Sequence, residues 1–379
     1  MKILFASDSF KGTLSSEQTA ALLETAARKV FPDCTTDYVP VADGGEGTVE
    51  ALVKATGGSL IEVPVHGPLM EDRVATYGRL DDHRAVIEMA AASGLPMVPE
   101  DKRNPLNTTS YGTGELIRDA LDKGFDEISI AIGGSATNDG GMGCARALGI
   151  KFLDEAGREL EGFGRDLSAV SSIDVSGIDP RIASTKITVM CDVTNPLCGP
   201  DGATNTFGKQ KGGTPEILEQ LEAGMCRYRD LIIDTLHDNP DEYPGAGAAG
   251  GLGAALKVFF RGEMKSGIET VLDLLDFNAR LQNVDLVVTG EGRTDWQSAF
   301  GKVMQGIGVR CRAAGIPAVG LSGSLGEGAA QIFDHGIASL MTTVDAPMPL
   351  EEALSRAEEL YALGAERMFR MIKVGMDLR

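Results

Sequence analysis

The sequence lacks a CxxC pair and an HExxH motif, and it contains only four histidines, which lie far apart. These absences argue against a histidine-based zinc site and against a Ser-His-Asp triad. The start of the chain, MKILFASDSFKG, is typical of a first strand rather than of a secretion signal. We therefore expect a cytoplasmic protein with reduced thiols at its six scattered cysteines, Cys34, Cys144, Cys191, Cys198, Cys226 and Cys311.

Positive charge is also scarce. Lysine and arginine together number 35 against 55 aspartates and glutamates, so the formal net charge is −20. No basic stretch offsets this charge, which argues against nucleic acid or an anionic membrane as a partner. The longest apolar segment, Gly245–Leu256, consists largely of glycine and alanine and stops at Lys257, so it predicts no membrane span. Small molecules are the expected partners, and a monomer or a homodimer is the expected state.

The pattern of strands and helices changes along the chain. Both ends alternate strand and helix, beginning with a strand at Lys2–Ser7 and a helix that Ser15 and Gln18 open as a capping box. The middle instead has successive strands without helices between them, at 60–65, 73–78 and 84–89, which favours a mixed or antiparallel sheet. We expect a discontinuous α/β domain (1–60 plus 284–379) interrupted by an inserted mixed α/β domain (61–283).

Polar, glycine-rich clusters directly follow several predicted strands. In open α/β sheets, ligands bind beyond the carboxyl ends of the strands, so these clusters predict a shared site. They combine carboxylates, a few cations and glycine amides without histidine, as a site for Mg-nucleotide phosphoryl transfer would. The clusters are DSFKG (Asp8–Gly12), ADGGEG (Ala42–Gly47), GGSATNDGG (Gly133–Gly141), CDVTNP (Cys191–Pro196) and GEGRTDWQSAFGK (Gly290–Lys302).

Common phosphate-binding signatures are absent. The P-loop pattern GxxxxGK[ST] does not occur, because Val303 follows Gly301-Lys302, and the first βα turn has no GxGxxG. A P-loop NTPase and a standard Rossmann oxidoreductase are therefore disfavoured. The small residues of Pro244–Leu256 indicate either a segment packed very closely on its neighbour or one that passes beside a ligand.

The ordered motifs resemble those of the bacterial type-1 (glycerate 2-kinase) family of glycerate kinases. The resemblance covers essentially the whole chain and includes VPVADGGEGTVEAL, EMAAASGL, TTSYGTGELI, IGGSATNDGG, CDVTNPL, FGKQKG, PGAGAAGGLGAAL and TGEGRTDWQSAFGK. It implies ATP- and Mg²⁺-dependent phosphorylation of D-glycerate to 2-phosphoglycerate, although the residues alone do not separate this product from the 3-phosphate. It also implies an α/β fold of two domains, a flavodoxin-like doubly wound parallel-sheet domain and the inserted domain, with the site in the cleft between them. A metal-dependent phosphatase and a non-catalytic, sugar-acid-sensing regulator on the same fold are the alternatives.

The candidate site residues follow from these clusters. For the proton acceptor we favour Asp192, with Asp295 second; a metal or turn role remains open for both. Arg293 is the expected partner of the substrate carboxylate, with Lys11 as the alternative; otherwise Arg293 pairs structurally with Glu291 or Asp295. The full expectations are, for catalysis, Asp192, Asp295 and Lys11; for substrate, Arg293, Ser9, Asn195 and Gln297; for nucleotide phosphates, Gly133, Gly134, Ser135, Thr137, Asn138, Lys211 and Lys302; for metal, Asp139, Asp43, Glu46 and Glu291.

Overall fold

A computed structural model of the chain describes residues 1–10, 12–41, 45, 47–299 and 301–378. The strands, numbered along the chain, are β1 (Lys2–Ser7), β2 (Thr35–Tyr38), β3 (Ser59–His66), β4 (Asp72–Arg79), β5 (Arg84–Glu88), β6 (Glu127–Ala131), β7 (Lys151–Leu153), β8 (Ser172–Asp174), β9 (Lys186–Met190), β10 (Glu263–Lys265), β11 (Leu286–Gly290), β12 (Arg293–Thr294), β13 (Ala318–Ser322), β14 (Ser324–Leu325) and β15 (Ile337–Thr342).

The α-helices are separated by loops and by short 3₁₀ segments. They are α1 (Ser16–Val30), α2 (Thr48–Thr56), α3 (Ala90–Ser93), α4 (Tyr111–Asp122), α5 (Met142–Ala147), α6 (Ala203–Phe207), α7 (Pro215–Leu236), α8 (Leu252–Val258), α9 (Gly267–Leu274), α10 (Phe277–Arg280), α11 (Val303–Ala314), α12 (Leu350–Ser355) and α13 (Ala357–Asp377). No helix in the described part of the chain is both long and apolar enough to cross a membrane.

Helix α1 begins where its sequence predicts. The Ser15 side chain accepts a hydrogen bond from the Gln18 amide at 3.1 Å, and the Gln18 side chain accepts one from the Ser15 amide at 2.8 Å. This reciprocal pair satisfies two backbone donors that a helix start otherwise leaves without partners. The predicted capping box is therefore confirmed.

The chain forms two compact units, which we call unit 1 (Met1–Asp43 and Gly267–Arg379) and unit 2 (Gly44–Ser266). These limits differ from the predicted boundaries at 60–61 and 283–284. The difference arises because α2 packs against the β3–β5 strands of unit 2, whereas α9 packs against α11 in unit 1.

Unit 1 contains a parallel sheet in the order β15-β13-β11-β1-β2. When only the five strands of this sheet are numbered in chain order, the order is 5-4-3-1-2, the flavodoxin-like arrangement that the family resemblance implies. Ile3 and Val288 belong to a core that includes side chains of α1 and α13, and α11 also packs on the sheet. The intervening Leu4 and Val287 are equally inaccessible, as expected for parallel strands covered on both faces.

Unit 2 contains a mixed sheet in the order β10-β9-β6-β5-β4-β3. The pairs β3–β4 and β4–β5 are antiparallel, and β5, β6, β9 and β10 run parallel to one another. Its core joins residues of the sheet to residues of α4, α5, α7 and α8. The predicted fold class, two α/β domains with one parallel and one mixed sheet, is confirmed.

Gly290 ends β11 where two backbones approach closely. A Cβ atom at this position would lie 1.9 Å from the Leu321 carbonyl oxygen of the neighbouring strand. Because this oxygen belongs to the backbone, relief requires separating β11 from β13. We expect Gly290→Ala to lower the free energy of unfolding by about 1–3 kcal/mol, measured by urea denaturation.

Gly375→Ala provides the matched control for this substitution. Gly375 lies in α13, and an added Cβ would meet nothing within 4 Å. Its urea midpoint should stay equal to the wild-type value or rise slightly, because alanine favours helix more than glycine does. Equal midpoints for both variants would contradict the steric argument.

Candidate active site

In unit 1, the carboxyl ends of the central strands carry the predicted polar clusters. Strands β1 and β11 are neighbours in the sheet, and the strand order reverses between them. The Asp8 amide donates to the Gly290 carbonyl at 2.9 Å, so the two loops leave the sheet side by side. This reversal is where open α/β sheets bind their ligands.

A cavity of about 930 Å³ opens at this edge of unit 1. Its volume is within the range usual for small-molecule sites. Predicted site residues contribute Ser9, Glu291, Arg293 and Lys302 to the wall. The loop after β15 adds Val344 and Pro347, and the start of α12 adds Leu350. The wall therefore combines charged groups with an apolar surface.

Glu291 is almost inaccessible in this wall, with 8% of its surface exposed. Its Oε1 accepts a hydrogen bond from the Thr294 hydroxyl at 3.1 Å. Burial raises the pKa of Glu291 above its usual range, although hydrogen bonds from Ser298 and Thr294 and the charge of Lys302 act in the opposite direction. A cation bound nearby would also lower the pKa of Glu291 and so favour its ionised form.

Arg293 and Asp295 form an ion pair beside the cavity, with 3.5 Å between the arginine Nε and the carboxylate Oδ2. The guanidinium nevertheless keeps 66% of its side chain exposed. The other Asp295 oxygen accepts from the Gln297 amide at 2.9 Å, and Lys302 Nζ lies 3.4 Å from Gln297 Oε1. Arg293 can therefore keep its ion pair with Asp295 and still contact a substrate.

In unit 2, the loops after β6 and β9 leave the same edge of the sheet, because these strands are parallel neighbours. The first loop is the glycine-rich stretch Gly133–Gly141. Gly133 and Gly134 are exposed, and Gly134 has a φ of +75°. No atom lies within 4 Å of a Cβ built on Gly133, so its backbone is open to a ligand.

Lys211 is buried behind this loop, at 2% exposure. Its Nζ donates to the Ser135 hydroxyl at 2.8 Å and to the Thr137 carbonyl at 2.6 Å. Burial lowers the pKa of Lys211 to about 7, and the negative charge of Asp139 acts against this shift. The structure therefore brings together Ser135, Thr137 and Lys211, which the sequence assigned to phosphate binding.

Asp139 is completely buried, and hydrogen bonds from the protein already occupy both of its carboxylate oxygens. Its Oδ2 accepts from the Ser110 amide and hydroxyl, both at 2.7 Å, and from the Gly143 amide at 3.2 Å, and its Oδ1 accepts from the Gly141 amide at 3.0 Å. Burial raises its pKa, whereas these donors lower it. The carboxylate holds the loop in shape, and this geometry gives no support to the predicted Mg²⁺ role of Asp139.

Thr137 and Asn138 also face the interior of unit 2. The Thr137 hydroxyl lies 3.5 Å from the Ala249 carbonyl, and the Asn138 side-chain amide donates to the Thr204 hydroxyl at 3.0 Å. Both residues are fully buried. The part of the predicted phosphate loop that a ligand can reach is therefore Gly133, Gly134 and the edge of Ser135.

The small residues after Pro244 pack between the two loops. A Cβ on Gly250 would lie 2.0 Å from the Thr137 carbonyl oxygen, and one on Gly247 would lie 2.1 Å from that of Pro196. The Gly247 amide donates to the Asn195 carbonyl at 2.9 Å. Of the two alternatives for this segment, close packing is the one observed.

The loop after β9 carries the other predicted residues of unit 2. Asp192 is exposed, and the Asn195 side-chain amide donates to the Asp201 carbonyl at 2.7 Å. Three predicted residues, Lys11, Asp43 and Glu46, lie outside the described residues.

Comparisons with known proteins agree on one family. The model of the glycerate kinase family matches residues 3–373. The chain is 46% identical to the glycerate kinase of Bacillus subtilis strain 168, over 100% of this chain and 99% of that one. It is 44% identical to the glycerate 2-kinase of Escherichia coli K12, over 99% of both. The chain belongs to the glycerate kinase family.

A solved structure supports the same assignment. The crystal structure assigned as glycerate kinase 2 from Salmonella typhimurium LT2 superposes with a TM-score of 0.89, at 45% identity, and covers 100% of this chain and 99% of that one. The family resemblance that the sequence motifs indicate is thus confirmed.

Two acidic residues of the chain line the unit 1 cavity but were not among the predicted site residues. Asp8 follows β1, and Asp345 belongs to the loop after β15. Asp8 had the same signal as the residues that were chosen, a carboxylate directly after a buried strand. Asp345 lies three residues beyond its strand, and only the fold brings its loop to the cavity.

The buried Lys211 generates a prediction about stability and pH. An unfolded lysine has a pKa of about 10.4, so between pH 7 and about 10 the unfolded chain holds more protons than the folded chain. The wild-type free energy of unfolding should therefore rise with pH in this window, relative to that of Lys211→Met. Urea denaturation at several pH values would measure the difference.

Lys209→Met is the control, because Lys209 is an exposed residue of the same short 3₁₀ segment, Lys209–Lys211. It should parallel the wild type throughout. If Lys211→Met also parallels the wild type, the ammonium group is not desolvated in the folded protein.

Proposed function

We propose that the protein transfers the γ-phosphoryl group of ATP to D-glycerate in a Mg²⁺-dependent reaction that gives 2-phosphoglycerate and ADP. Membership of the glycerate kinase family supports glycerate as the acceptor. The name of the Escherichia coli relative, glycerate 2-kinase, supports the position of the phosphate. The observation that carries the proposal is the charged cavity at the strand-order reversal of unit 1.

Arg293 binds the glycerate carboxylate in this proposal. A planar guanidinium offers two parallel donors to a carboxylate, and most of the Arg293 side chain is accessible. The Asp295 ion pair restricts the orientation of the Arg293 side chain. Ser9, Gln297 and Asn195 contribute hydrogen-bonding groups to the hydroxyls of the acid.

The nucleotide phosphates bind the accessible part of the glycine-rich loop. Gly133 and Gly134 offer exposed backbone, and Ser135 offers a hydroxyl that already accepts a hydrogen bond from Lys211. Lys211 supplies positive charge behind the loop, and Lys302 supplies it at the unit 1 cavity. Thr137 and Asn138 support the loop from inside rather than contacting the phosphates.

The chemical step needs positioning, charge stabilisation and a proton acceptor. A glycerate hydroxyl oxygen attacks the γ-phosphorus, the bond from this phosphorus to the ADP oxygen breaks, and the hydroxyl proton passes to a carboxylate. Asp192 is our first candidate for this acceptor and Asp295 the second. Lys11, which the sequence assigns to catalysis, would stabilise charge on the transferred phosphoryl group.

The carboxylates of the cavity fit a magnesium ion. Mg²⁺ usually takes one or two protein carboxylates together with phosphate oxygens and water. Glu291 with Asp8 would hold the ion, since both line the cavity and burial makes an uncompensated charge on Glu291 unfavourable. When bound, Mg²⁺ neutralises negative charge on the phosphates. Asp43 and Glu46 remain predicted ligands, and Asp139 is left out of this set.

The direct test incubates the protein with ATP and Mg²⁺ and follows ADP release in a panel of hydroxy acids and polyols. Release should be much faster with D-glycerate than with glycerol, because glycerol lacks the carboxylate that Arg293 binds, and chelation of Mg²⁺ should abolish it. Phosphorus NMR should identify the product as the 2-phosphate. Equal rates with glycerate and glycerol would refute the substrate assignment. Binding of glycerate without ADP release would favour a sensing regulator, and phosphate release from phosphoglycerate would favour a phosphatase.

The role of Arg293 can be tested separately with Arg293→Lys, which keeps the charge and loses the planar fork. Loss of a charge-assisted bidentate contact costs about 1.5–3 kcal/mol, so we expect KM for glycerate to rise by about tenfold to a hundredfold. KM for ATP should change much less, measured by steady-state kinetics.

Arg310→Lys is the matched control, because Arg310 also pairs with an aspartate of unit 1, Asp273, at 2.7 Å, but does not line the cavity. It should leave both KM values near those of the wild type. A selective rise in KM for ATP in Arg293→Lys would assign the unit 1 cavity to the nucleotide instead, for which its apolar wall offers a surface.

A further inference from the structure

Unit 2 contains a cluster of two thiols and a carboxylate that the proposed reaction does not use. Cys198 lies in the loop after β9, and Glu222 and Cys226 lie one turn apart on α7. The two sulfur atoms and a carboxylate oxygen all lie within 4.8 Å of one another. Among the described residues, no other three cysteine, histidine or acidic side chains bring their ligand atoms this close together.

The spacing of these atoms suits a tetrahedral metal site. A metal at about 2.3 Å from sulfur and about 2.0 Å from a carboxylate oxygen separates its tetrahedral ligands by roughly 3.5–3.8 Å. The observed distance between Cys226 Sγ and Glu222 Oε1 is 3.6 Å. Small side-chain rotations would therefore bring the ligand atoms onto a common centre.

The two oxygens of Glu222 are used differently. Oε1 accepts a hydrogen bond from the Gly199 amide at 2.6 Å, which fixes the carboxylate beside the cysteine loop. Oε2 is buried and has no hydrogen-bond partner among the residues that the structure describes. A buried carboxylate oxygen without a partner is unfavourable, and a cation bound by the same carboxylate at Oε1 would lower this cost by neutralising its charge.

The backbone around Cys198 is held in place by neighbouring groups. Asp241 Oδ1 accepts from the Leu197 amide at 2.8 Å and from the Cys198 amide at 3.2 Å. Arg229 in turn donates to the other Asp241 oxygen at 3.2 Å. Such outer hydrogen bonds orient ligands and strengthen metal binding, so the site is organised before an ion enters.

We propose that Cys198, Glu222 and Cys226 bind a thiophilic divalent cation of the Zn²⁺ class, with a fourth coordination position open to water or another ligand. Two thiolates favour Zn²⁺ and similar ions over Mg²⁺ or Ca²⁺, which prefer oxygen ligands. The ion would tie the loop after β9 to α7. Because this loop also contains Asp192 and Asn195, the site offers a means of restricting its movement.

The test uses Co²⁺ as a spectroscopic substitute for Zn²⁺, added to the reduced full-length protein under anaerobic conditions. We expect a single equivalent to bind, with a thiolate-to-cobalt charge-transfer band in the near ultraviolet and visible bands of a tetrahedral ion. Zn²⁺ should displace it. Cys198→Ser and Cys226→Ser should lose the charge-transfer intensity of the missing thiolate, and Glu222→Gln should bind at least about tenfold more weakly, as even outer-shell changes do.

Cys191→Ala is the control, because Cys191 is a partly accessible thiol of unit 2 outside the cluster. It should bind Co²⁺ as the wild type does, and circular dichroism would establish that all variants remain folded. Absence of stoichiometric Co²⁺ uptake would overturn the proposal. Co²⁺ uptake that persists with full charge-transfer intensity in both serine variants would also overturn it. So would oxidation of Cys198 and Cys226 to a disulfide in air, in a protein that takes up no metal when it is reduced.

Discussion

The glycine-rich loop of unit 2 depends on one buried carboxylate. Asp139 accepts four hydrogen bonds from Ser110, Gly141 and Gly143, so the start of α4 and the start of α5 are held to the same side chain. Burying an ionised group is costly unless it is well hydrogen-bonded, and here every donor is fixed by the backbone or by a buried hydroxyl. The loop is therefore rigid on its inner side, and the positive φ values of Gly140 and Gly141 make this path possible.

Unit 1 organises its cavity by a different constraint. The cavity opens at the reversal of strand order between β1 and β11, which is where open α/β sheets bind ligands. Three of its charged groups, Glu291, Arg293 and Lys302, come from a single segment, whereas Asp8 and Asp345 come from the loops after β1 and β15. The two units thus offer complementary chemistry: exposed backbone with a buried cation in unit 2, and side-chain charges around an open cavity in unit 1.

Much of the fold could be predicted from local patterns. The capping box of α1, the successive antiparallel strands β3 to β5 and the alternation at both chain ends depend on neighbours in sequence, which residue types report directly. The arrangement of the side chains in the candidate site was harder to predict. A carboxylate after a strand predicts which edge of the sheet it lies on but not which way it points, so Asp139, which faces inward, and Asp8, which lines a cavity, carry the same sequence signal.

The sequence by itself determined the fold class, the family and the loops in which the candidate residues lie, because periodicity, capping and ordered motifs are properties of short segments. Only the tertiary structure decided which side chains meet. Lys211 reaches Ser135 across 76 positions, and Cys198 approaches Cys226 although no CxxC spacing links them. Such contacts depend on how loops and helices pack, since burial and the need to satisfy buried polar groups are settled by the whole unit rather than by any one segment.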